Sequence, residues 1–290
     1  MDIKPEIIIL SSGGFLGSAL SKCFSNEGLA TLKLVNSSEL DLTHPGAHLH
    51  VDQLLNENTV LILTALARSR GDQYDTYSDN LVMYQNLARA LGKTRIRKCV
   101  YFSSISVYGE QETNRSITEE TLTAPSSIYG AGKLAAENLL KIASHEVGTP
   151  LVILRPCKIY GLGDRDFSSY GPAKFINSLI RENRVSLIGE GEEERDYLYI
   201  QDLIEMTKEI AYNQVVGVYN LATGISTSFK ELASCIRKVT DRTFVVETIK
   251  RKRPVVHQQF NIRKLKKTMP NISFTDLEKG LSYIFGLKKC

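Results

Sequence analysis

The chain has 290 residues, of which 42% are hydrophobic and 23% are charged. These proportions are ordinary for a folded globular protein and argue against bulk disorder, collagen-like repeats and coiled coils. The formal net charge is +4, and residues 250–267 hold eight basic side chains and no acidic one. Such a patch suits nucleic acid, a membrane surface or a phosphorylated small molecule, but it lacks the interleaved aromatic pattern on which single-stranded bases stack.

In chain order, the first 155 residues alternate short apolar segments with amphipathic ones. This alternation predicts a parallel sheet covered by helices on both faces, as in a doubly wound Rossmann-type α/β domain. A helix stop signal, Gly28, follows the first predicted helix. The predicted strands are 7–10, 32–35, 60–64, 99–103 and 151–155, and the predicted helices are 15–27, 76–91 and 129–147.

The pattern changes after Pro156, where loops lengthen and strands become sparse. We predict a smaller α/β lobe over residues 156–290 that binds the substrate, with some segments returning to the first domain (residues 1–155). Its predicted strands are 185–188, 197–200, 218–221 and 244–248, and its predicted helices are 172–182, 203–212, 229–239 and 276–285.

The apolar runs, cysteines and histidines bear on the cellular compartment and on metal binding. No apolar run reaches the roughly 18 residues of a membrane span, and the first ten residues do not match a signal peptide. The five cysteines include no CxxC pair, which argues against a disulfide framework or a zinc site. His44, His48 and His50 lack matching acidic or cysteine ligands. We therefore expect a reduced, cytoplasmic protein without a metal and without a membrane partner.

A glycine-rich turn follows the first predicted strand and reads Ser11-Ser12-Gly13-Gly14-Phe15-Leu16-Gly17. Dinucleotide-binding turns place glycines where the backbone approaches a pyrophosphate at a helix N-terminus. Gly14 and Gly17 keep the spacing of the last two glycines, whereas Ser11 stands at the position of the first. The turn predicts dinucleotide binding, and the alternative is a tightly packed strand–turn–helix.

A second motif joins Ser104, after the fourth predicted strand, to Tyr129 and Lys133 on one helix. Residues four apart share a helix face, and a nearby ammonium lowers the pKa of a phenol towards the working range. The lysine also suits ribose hydroxyls, and the serine suits a reacting sugar oxygen. These three groups can move a proton on or off a carbinol oxygen while a nicotinamide moves the hydride. The alternative is a partly exposed helix pair.

Further motifs follow in order along the chain. Together with the glycine-rich turn and the Tyr129/Lys133 pair, they resemble the extended short-chain dehydrogenases/reductases, in the NAD-dependent epimerase/dehydratase group that acts on nucleotide sugars. The motifs are Leu154-Arg155-Pro156, Ile159-Tyr160-Gly161, Gly189-Glu190-Gly191, Arg195-Asp196-Tyr197, Gln201-Asp202-Leu203, Val218-Tyr219-Asn220-Leu221 and Gly224.

The resemblance implies roles for individual residues. The implied catalytic residues are Ser104, Tyr129 and Lys133. The implied substrate contacts are Ser104, Ser106 and two arginines for the diphosphate, Arg195 and Arg253. The implied cofactor contacts are Ser11, Gly14, Phe15, Leu16, Gly17, Asn36, Asp41, Leu42, Ala65, Ala67, Asn80, Ser103, Tyr129, Lys133, Pro156 and Ile159.

Departures from the family pattern narrow the reaction. By the family resemblance, 4,6-dehydratases carry an Asp-Glu pair at the positions where this chain has Ile105 and Ser106. We therefore reject a dehydratase. Residues 38–43 look like those of deoxysugar 4-keto reductases, such as the dTDP-4-dehydrorhamnose reductase and GDP-fucose synthase groups. We therefore expect reduction of a 4-keto-6-deoxyhexose on a nucleoside diphosphate, in surface polysaccharide synthesis. A 4-epimerase with bound NAD and a non-catalytic dinucleotide-binding module remain alternatives.

Cofactor choice and assembly complete the expectations. Residues 35–38 carry no carboxylate to repel a 2′-phosphate and no arginine to hold one, so NAD and NADP both stay open, with a lean towards NADPH. The resemblance implies a homodimer through helices 76–91 and 129–147, for which Leu134, Leu139 and Leu140 are candidate contacts or core residues. A nucleoside-diphosphate sugar is the expected partner, and nucleic acid is not.

Overall fold

A computed structural model describes residues 4–27, 31–67, 71–111, 113–164 and 171–286. Gly28, the predicted stop of the first helix, lies outside these ranges. The strands are β1 (Glu6–Leu10), β2 (Thr31–Val35), β3 (Thr59–Leu63), β4 (Lys98–Phe102), β5 (Asn114–Ile117), β6 (Leu151–Pro156), β7 (Lys158–Tyr160), β8 (Arg184–Ile188), β9 (Glu194–Tyr199), β10 (Gly217–Leu221), β11 (Ser226–Ser228), β12 (Val245–Ile249) and β13 (Gln258–Phe260).

The helices predicted from the sequence begin and end within three residues of the expected positions. The helices of the structure are α1 (Phe15–Glu27), α2 (Ala47–Asp52), α3 (Gln73–Leu91), α4 (Ile128–Val147), α5 (Pro172–Glu182), α6 (Ile200–Tyr212), α7 (Phe229–Thr240), α8 (Arg263–Thr268) and α9 (Leu277–Ile284). None of those within the described ranges is long and apolar enough to cross a membrane.

Contacts group the chain into two compact units. The first unit contains Met1–Gly109, Thr121–Arg155 and Met206–Tyr219, and the second contains Glu110–Glu120, Pro156–Glu205 and Asn220–Cys290. Each unit thus draws on segments from both sides of residue 155. Residues 110–120 belong with the second unit because β5 pairs with β13, and residues 206–219 belong with the first.

The first unit is built on a six-stranded sheet with the order β10-β6-β4-β3-β1-β2. The pairs β1–β2, β1–β3, β3–β4 and β4–β6 are parallel, which confirms the predicted Rossmann-type α/β class. Segment 218–221, predicted in the second lobe, is part of β10 at an edge of this sheet. Side chains of β1 and β3 are almost completely buried, because helices cover a parallel sheet.

Helices α3 and α4 pack on this sheet through buried apolar side chains. Met83 and Leu87 of α3 and Ala136 and Leu140 of α4 belong to one core cluster. Leu140 is therefore a core residue and not a free candidate for a dimer contact. α3 begins three residues before its predicted start because Asp72 caps it, with a reciprocal bond from the Asp72 N–H to Asp75, and such a capping box stabilises the first turn.

The second unit contains a three-stranded sheet, β11-β9-β7, and two strand pairs, β12–β8 and β13–β5. Its core is formed by side chains of α5, α7 and α9 against β8 and β9, including Phe175, Val185, Phe229, Leu232 and Leu281. A capping box between Ser228 and Glu231 starts α7.

Candidate active site

The turn between β1 and α1 keeps a dinucleotide-binding backbone without its first glycine. Ser11 has φ of 68°, in the left-handed region that glycine adopts without a Cβ penalty. The N–H groups of Ser11 and Ser12 donate to the Val35 carbonyl, at 2.8 and 3.2 Å. A Cβ at Gly17 would overlap the Ser11 carbonyl oxygen. Gly17 is therefore required for α1 to start this close to the turn.

The surface in front of α1 is open and fits a pyrophosphate. Gly13 and Gly14 are exposed, and an added Cβ at Gly13 would meet nothing within 4 Å. Phe15 and Leu16 are half-buried in the first turn of the helix. Backbone N–H groups at a helix N-terminus bind anions, and the absence of side chains here leaves them accessible.

A carboxylate lies at the end of β2, contrary to the interpretation of residues 35–38. The Glu39 side chain folds back, and its Oε2 accepts from the Asn36 N–H at 2.9 Å. The Asn36 Oδ1 in turn accepts from the Ser38 N–H at 2.9 Å. The sequence places Glu39 four residues beyond the strand, and only the turn conformation brings its charge back to the strand end.

Loop 41–44, expected beside an adenine, is held by hydrogen bonds on both sides. The Thr43 hydroxyl and N–H donate to Asp41 Oδ1, at 2.6 and 2.9 Å, and they lower the pKa of the Asp41 carboxyl. The buried Asn86 Nδ2 donates to the carbonyls of Leu42 and His44, both at 3.0 Å. Leu42 itself is buried. Asn86 was not singled out in the sequence.

Asn80 of α3 holds the loop after β3. Its Nδ2 donates to the Ala67 carbonyl at 2.9 Å, and its Oδ1 accepts from the Ala67 N–H at 3.0 Å. Ala65 is buried two residues earlier. The structure thus gives Asn80 a loop-positioning contact. Arg68 and Arg70, which follow this loop, lie outside the described residues.

The three predicted serines follow β4. Ser104 caps the short 3-10 helix Ile105–Tyr108: its Oγ accepts from the Ser106 N–H at 3.1 Å and lies 3.2 Å from the Ser106 Oγ. Ser103 points elsewhere, because its hydroxyl donates to Glu137 Oε1 at 2.6 Å. The Ser103 hydroxyl is therefore engaged with α4.

Helices α3 and α4 border a cleft of about 320 Å³ within the first unit. Tyr129 is 46% exposed, so its phenol is accessible, whereas Lys133 is buried. The cleft brings together four residues that the sequence predicts for the site. These are Ala67, Asn80, Tyr129 and Lys133, with Thr76 and Tyr84 beside them.

Gly130 lets the first turn of α4 approach the serine segment. A Cβ at Gly130 would overlap the Ser106 carbonyl oxygen. Ser127 caps the helix by accepting from the Gly130 N–H at 3.1 Å. The glycine that follows Tyr129 therefore allows the backbone that carries this phenol to lie close to the serine segment.

Lys133 sits in an enclosed environment. Its Nζ donates to the Phe102 carbonyl at 2.8 Å and lies 5.2 and 5.9 Å from the ring centroids of Tyr101 and Tyr129. Burial lowers the pKa of Lys133 to about 7, and Glu137 opposes this shift. Burial therefore disfavours the charged form of Lys133, and the neighbouring carboxylate favours it.

The predicted substrate arginines lie in the second unit and differ in exposure. Arg195 is 3% exposed. Its Nη1 donates to the Val256 carbonyl at 2.6 Å, and its Nη2 lies 3.5 Å from Glu110 Oε2. Arg253 is exposed, and it is Arg251 whose Nη1 pairs with the buried Glu193 at 2.9 Å.

Two more predicted cofactor contacts, Pro156 and Ile159, lie beside Cys157 in the second unit. Pro156 ends β6 and is buried, and Ile159 is half-buried in β7. Cys157 is buried, and its Sγ donates to Asp196 Oδ1 at 3.4 Å. Burial and the neighbouring Asp196 raise the pKa of this thiol, which does not favour a nucleophile.

The model of the NAD dependent epimerase/dehydratase family matches residues 7–222. The chain belongs to this family. The match confirms the resemblance drawn from the motifs. A relative described as "Uncharacterized UDP-glucose epimerase YtcB", from Bacillus subtilis, is 28% identical over 177 residues, which are 60% of this chain and 55% of that protein.

A dTDP-4-dehydro-6-deoxyglucose reductase of Escherichia coli is 26% identical over 170 residues, 58% of this chain and 52% of the reductase. The matched regions thus span about half the length of these relatives. The fold is also similar to that of a UDP-glucuronic acid 4-epimerase from Bacillus cereus solved with NAD, with a TM-score of 0.81 and 21% identity over 98% of this chain and 100% of that one. These comparisons give no support to the lean towards NADPH.

Proposed function

We propose that this member of the epimerase/dehydratase family is a NAD(P)-dependent oxidoreductase that reduces a 4-keto-6-deoxyhexose at C4, carried on a nucleoside diphosphate. The observation that carries the proposal is the cleft that Tyr129 and Lys133 line together. A phenol that is accessible and an ammonium that is buried beside it form a proton donor with a tuned partner. A binding module needs neither group.

Each residue has a distinct part in the proposed reaction. A bound nicotinamide dinucleotide would supply the hydride for C4. Tyr129 gives its proton to the developing C4 alkoxide, and the Ser104 hydroxyl orients that oxygen. Lys133 favours the phenolate form of Tyr129 after proton transfer and holds the ribose hydroxyls. In the second unit, Arg195 contacts the substrate diphosphate, with Arg253 as the second candidate.

Two features favour a reductase over other members of the family. Ile105 and Ser106 offer no acidic pair for water elimination, so a dehydratase lacks its acid and base. The Escherichia coli relative supports a 4-keto substrate, and residues 38–43 agree with it. The proposed chemistry is one half of an epimerisation, which uses the same three residues.

The second candidate is a 4-epimerase that retains NAD, and the Bacillus subtilis relative described as a UDP-glucose epimerase supports it. The Glu39 carboxylate at the end of β2 suits a ribose 2′-hydroxyl and repels a 2′-phosphate. NAD is therefore the preferred cofactor of both candidates. An epimerase recycles its hydride and keeps NAD through purification, whereas a reductase exchanges it.

The decisive experiment compares wild type with Tyr129→Phe. We expect turnover of a 4-keto-6-deoxy nucleotide sugar with NADH to fall about 10²–10⁴-fold in the variant, since the proton donor is lost. Dinucleotide affinity should stay within about twofold. The matched control is Tyr74→Phe, which removes an exposed phenol on the same unit and should leave turnover unchanged. Near-normal turnover in Tyr129→Phe would contradict the proposed mechanism.

The dinucleotide content of purified protein separates the two candidates. Released, stoichiometric NAD together with interconversion of 4-hydroxy epimers would establish the epimerase. Protein that is empty and oxidises added NADH with the keto-sugar would establish the reductase. Tight dinucleotide binding without turnover of any nucleotide sugar would instead support the non-catalytic module.

A further inference from the structure

A buried row of ionisable side chains runs along α4 behind Tyr129. Tyr129, Lys133 and Glu137 follow each other at intervals of four residues, so they stack on one helix face. Exposure falls along this row, from 46% at Tyr129 to 5% at Lys133 and 0% at Glu137. Tyr129, the proposed proton donor, therefore lies at the solvent-exposed end of the row, and the Glu137 carboxylate lies at the fully buried end.

Both oxygens of the buried Glu137 carboxylate accept hydrogen bonds. Its Oε1 accepts from Arg155 Nε at 2.8 Å, and its Oε2 accepts from Arg155 Nη2 at 2.6 Å. Oε1 also accepts from the Ser103 hydroxyl. Bidentate contact with a guanidinium is the strongest ion-pair geometry available to a carboxylate. Arg155 is 3% exposed, so water does not screen the pair.

The same ion pair is tied to the segments that carry the proposed catalytic residues. Arg155 Nη1 donates to the Tyr108 hydroxyl at 2.8 Å, and Tyr108 ends the short helix that Ser104 caps. Ser103 is the neighbour of Ser104. Phe102, whose carbonyl holds the Lys133 Nζ, precedes Ser103 on β4. One buried pair thus spans β4, β6, α4 and the serine segment.

Stability alone does not account for such a pair. Taking two charges out of water costs about as much as their attraction returns, and apolar side chains of the same volume are often at least as stabilising. A pair that also lies four residues from a buried lysine has an electrostatic consequence for that lysine. The carboxylate favours the charged lysine, and a guanidinium that neutralises this carboxylate opposes that effect.

We infer that Glu137 and Arg155 are positioning residues that act on Lys133 as a compensated charge pair, keeping its ammonium able to release a proton. The relevance of this charge to turnover rests on the proposed function, in which Lys133 favours the phenolate form of Tyr129. The titratable groups around Lys133 are Tyr129 and Glu137 from α4, Tyr101 from β4, and Tyr77 and Tyr84 from α3, which line the same cleft. Among these, only Glu137 carries a carboxylate, so we expect its pairing with Arg155 to govern the charge near Lys133.

Removing either partner has an opposite effect on Lys133. Glu137→Gln leaves the guanidinium without its carboxylate, and the pKa of Lys133 should fall by about one pH unit. Arg155→Gln leaves the carboxylate uncompensated, and the pKa of Lys133 should rise by about one pH unit. Both amides keep a hydrogen-bonding side chain at the site. A purely structural role predicts loss of stability in both variants, without shifts of opposite sign.

The experiment measures the proton equilibrium of Lys133 directly in the full-length protein. Competitive acetylation with acetic anhydride across about pH 6–10, followed by peptide mass spectrometry, gives the reactivity of each lysine against pH. Arg155→Lys retains the charge and should keep the Lys133 midpoint close to that of wild type. The matched control is Lys141→Met. Lys141 lies 3.6 Å from the same carboxylate and is 45% exposed, so its removal should shift the midpoint far less.

Opposite shifts in the two amide variants, with a near-native midpoint in Arg155→Lys, would support the inference. Shifts of the same sign, or none in folded protein, would overturn it. If one amide variant does not fold, the expected shift in the other together with a near-native midpoint in Arg155→Lys supports the inference, and a shift of the other sign or no shift overturns it. This measurement needs no substrate. Expected shifts in Lys133 together with an inactive wild-type protein would therefore refute the proposed function and leave the charge pair standing.

Discussion

Ser11 adopts a backbone conformation that costs a serine free energy and costs a glycine none. A non-glycine residue in the left-handed region is destabilised by about 1–2 kcal/mol. The cost is met by local anchoring, since the Ser11 N–H donates to Val35 and the Thr64 hydroxyl donates to the Leu10 carbonyl at 2.9 Å. The turn therefore retains the form of a glycine-containing fingerprint.

Ser11→Gly should increase the free energy of unfolding by about 0.5–1 kcal/mol. The variant removes the free-energy cost of the left-handed conformation in the folded state. The added glycine also raises the conformational entropy of the unfolded chain, which offsets part of this gain. Urea unfolding would measure the change. Ser12→Gly is the matched control, because its φ is not positive and the substitution should only destabilise. Equal changes in the two variants would contradict the assignment of strain to Ser11.

Glu39 should set the preference between NAD and NADP. In Glu39→Gln the ratio of the NADP Kd to the NAD Kd should fall about fivefold, since roughly 1 kcal/mol of repulsion near the 2′-phosphate is removed. Titration of the two dinucleotides by calorimetry measures this ratio. Glu57→Gln, an exposed acid before β3 at the other end of the strands, should leave it unchanged. An unaltered ratio in Glu39→Gln would remove Glu39 from the cofactor site.

At the level of elements, α3 serves as a brace for two loops. Asn80 and Asn86 project from it to hold the backbone at Ala67 and at Leu42 and His44. A buried amide satisfies backbone groups that a loop leaves unpaired. Helix α3 thereby shapes the ends of β2 and β3 without contributing to the sheet.

In α4, Gly130 allows the helix to lie close to the Ser106 backbone. We expect Gly130→Ala to lower the free energy of unfolding by about 1–3 kcal/mol, because the new methyl group pushes the helix away from Ser106. Turnover should fall as well, since a shift of about 1 Å in the proton donor is costly. Urea unfolding and steady-state rates measure the two effects.

Gly132→Ala is the matched control for stability on the same helix. Its Cβ would lie 3.5 Å from the Tyr77 ring, an ordinary contact, and alanine favours a helix over glycine by about 1 kcal/mol. This variant should be at least as stable as wild type. A Gly130→Ala protein as stable as Gly132→Ala would contradict the close approach.

At the level of the whole molecule, chain segments far apart in sequence complete each unit. The buried Lys98 donates from the start of β4 to the carbonyls of Ile210 and Asn213, and burial lowers its pKa to about 8. A cation at the C-terminal end of a helix satisfies carbonyls that the helix leaves free. This contact joins residues 206–219 to the first unit.

The predictable part of the fold and site is the part governed by local order. Apolar runs of four or five residues located β1, β3, β4 and β6, and the 3.6-residue period located α3 and α4. The spacing of Tyr129 and Lys133 placed both on one helix face. The predictions that were wrong concern contacts between residues separated in the sequence. Glu39 folds back over a turn to the end of β2, and segment 218–221 joins a sheet whose other strands all lie within residues 6–156.

The sequence by itself determined the Rossmann-type class, the glycine-rich turn before α1 and the Tyr129/Lys133 row, because each depends on neighbours within a few residues. Only the tertiary structure decided that a carboxylate lies at the end of β2, that Asn80 and Asn86 brace two loops, and that Glu137 and Arg155 form a buried pair beside Lys133. These depend on packing that brings distant backbone and side chains within hydrogen-bonding range, and no local pattern encodes that distance.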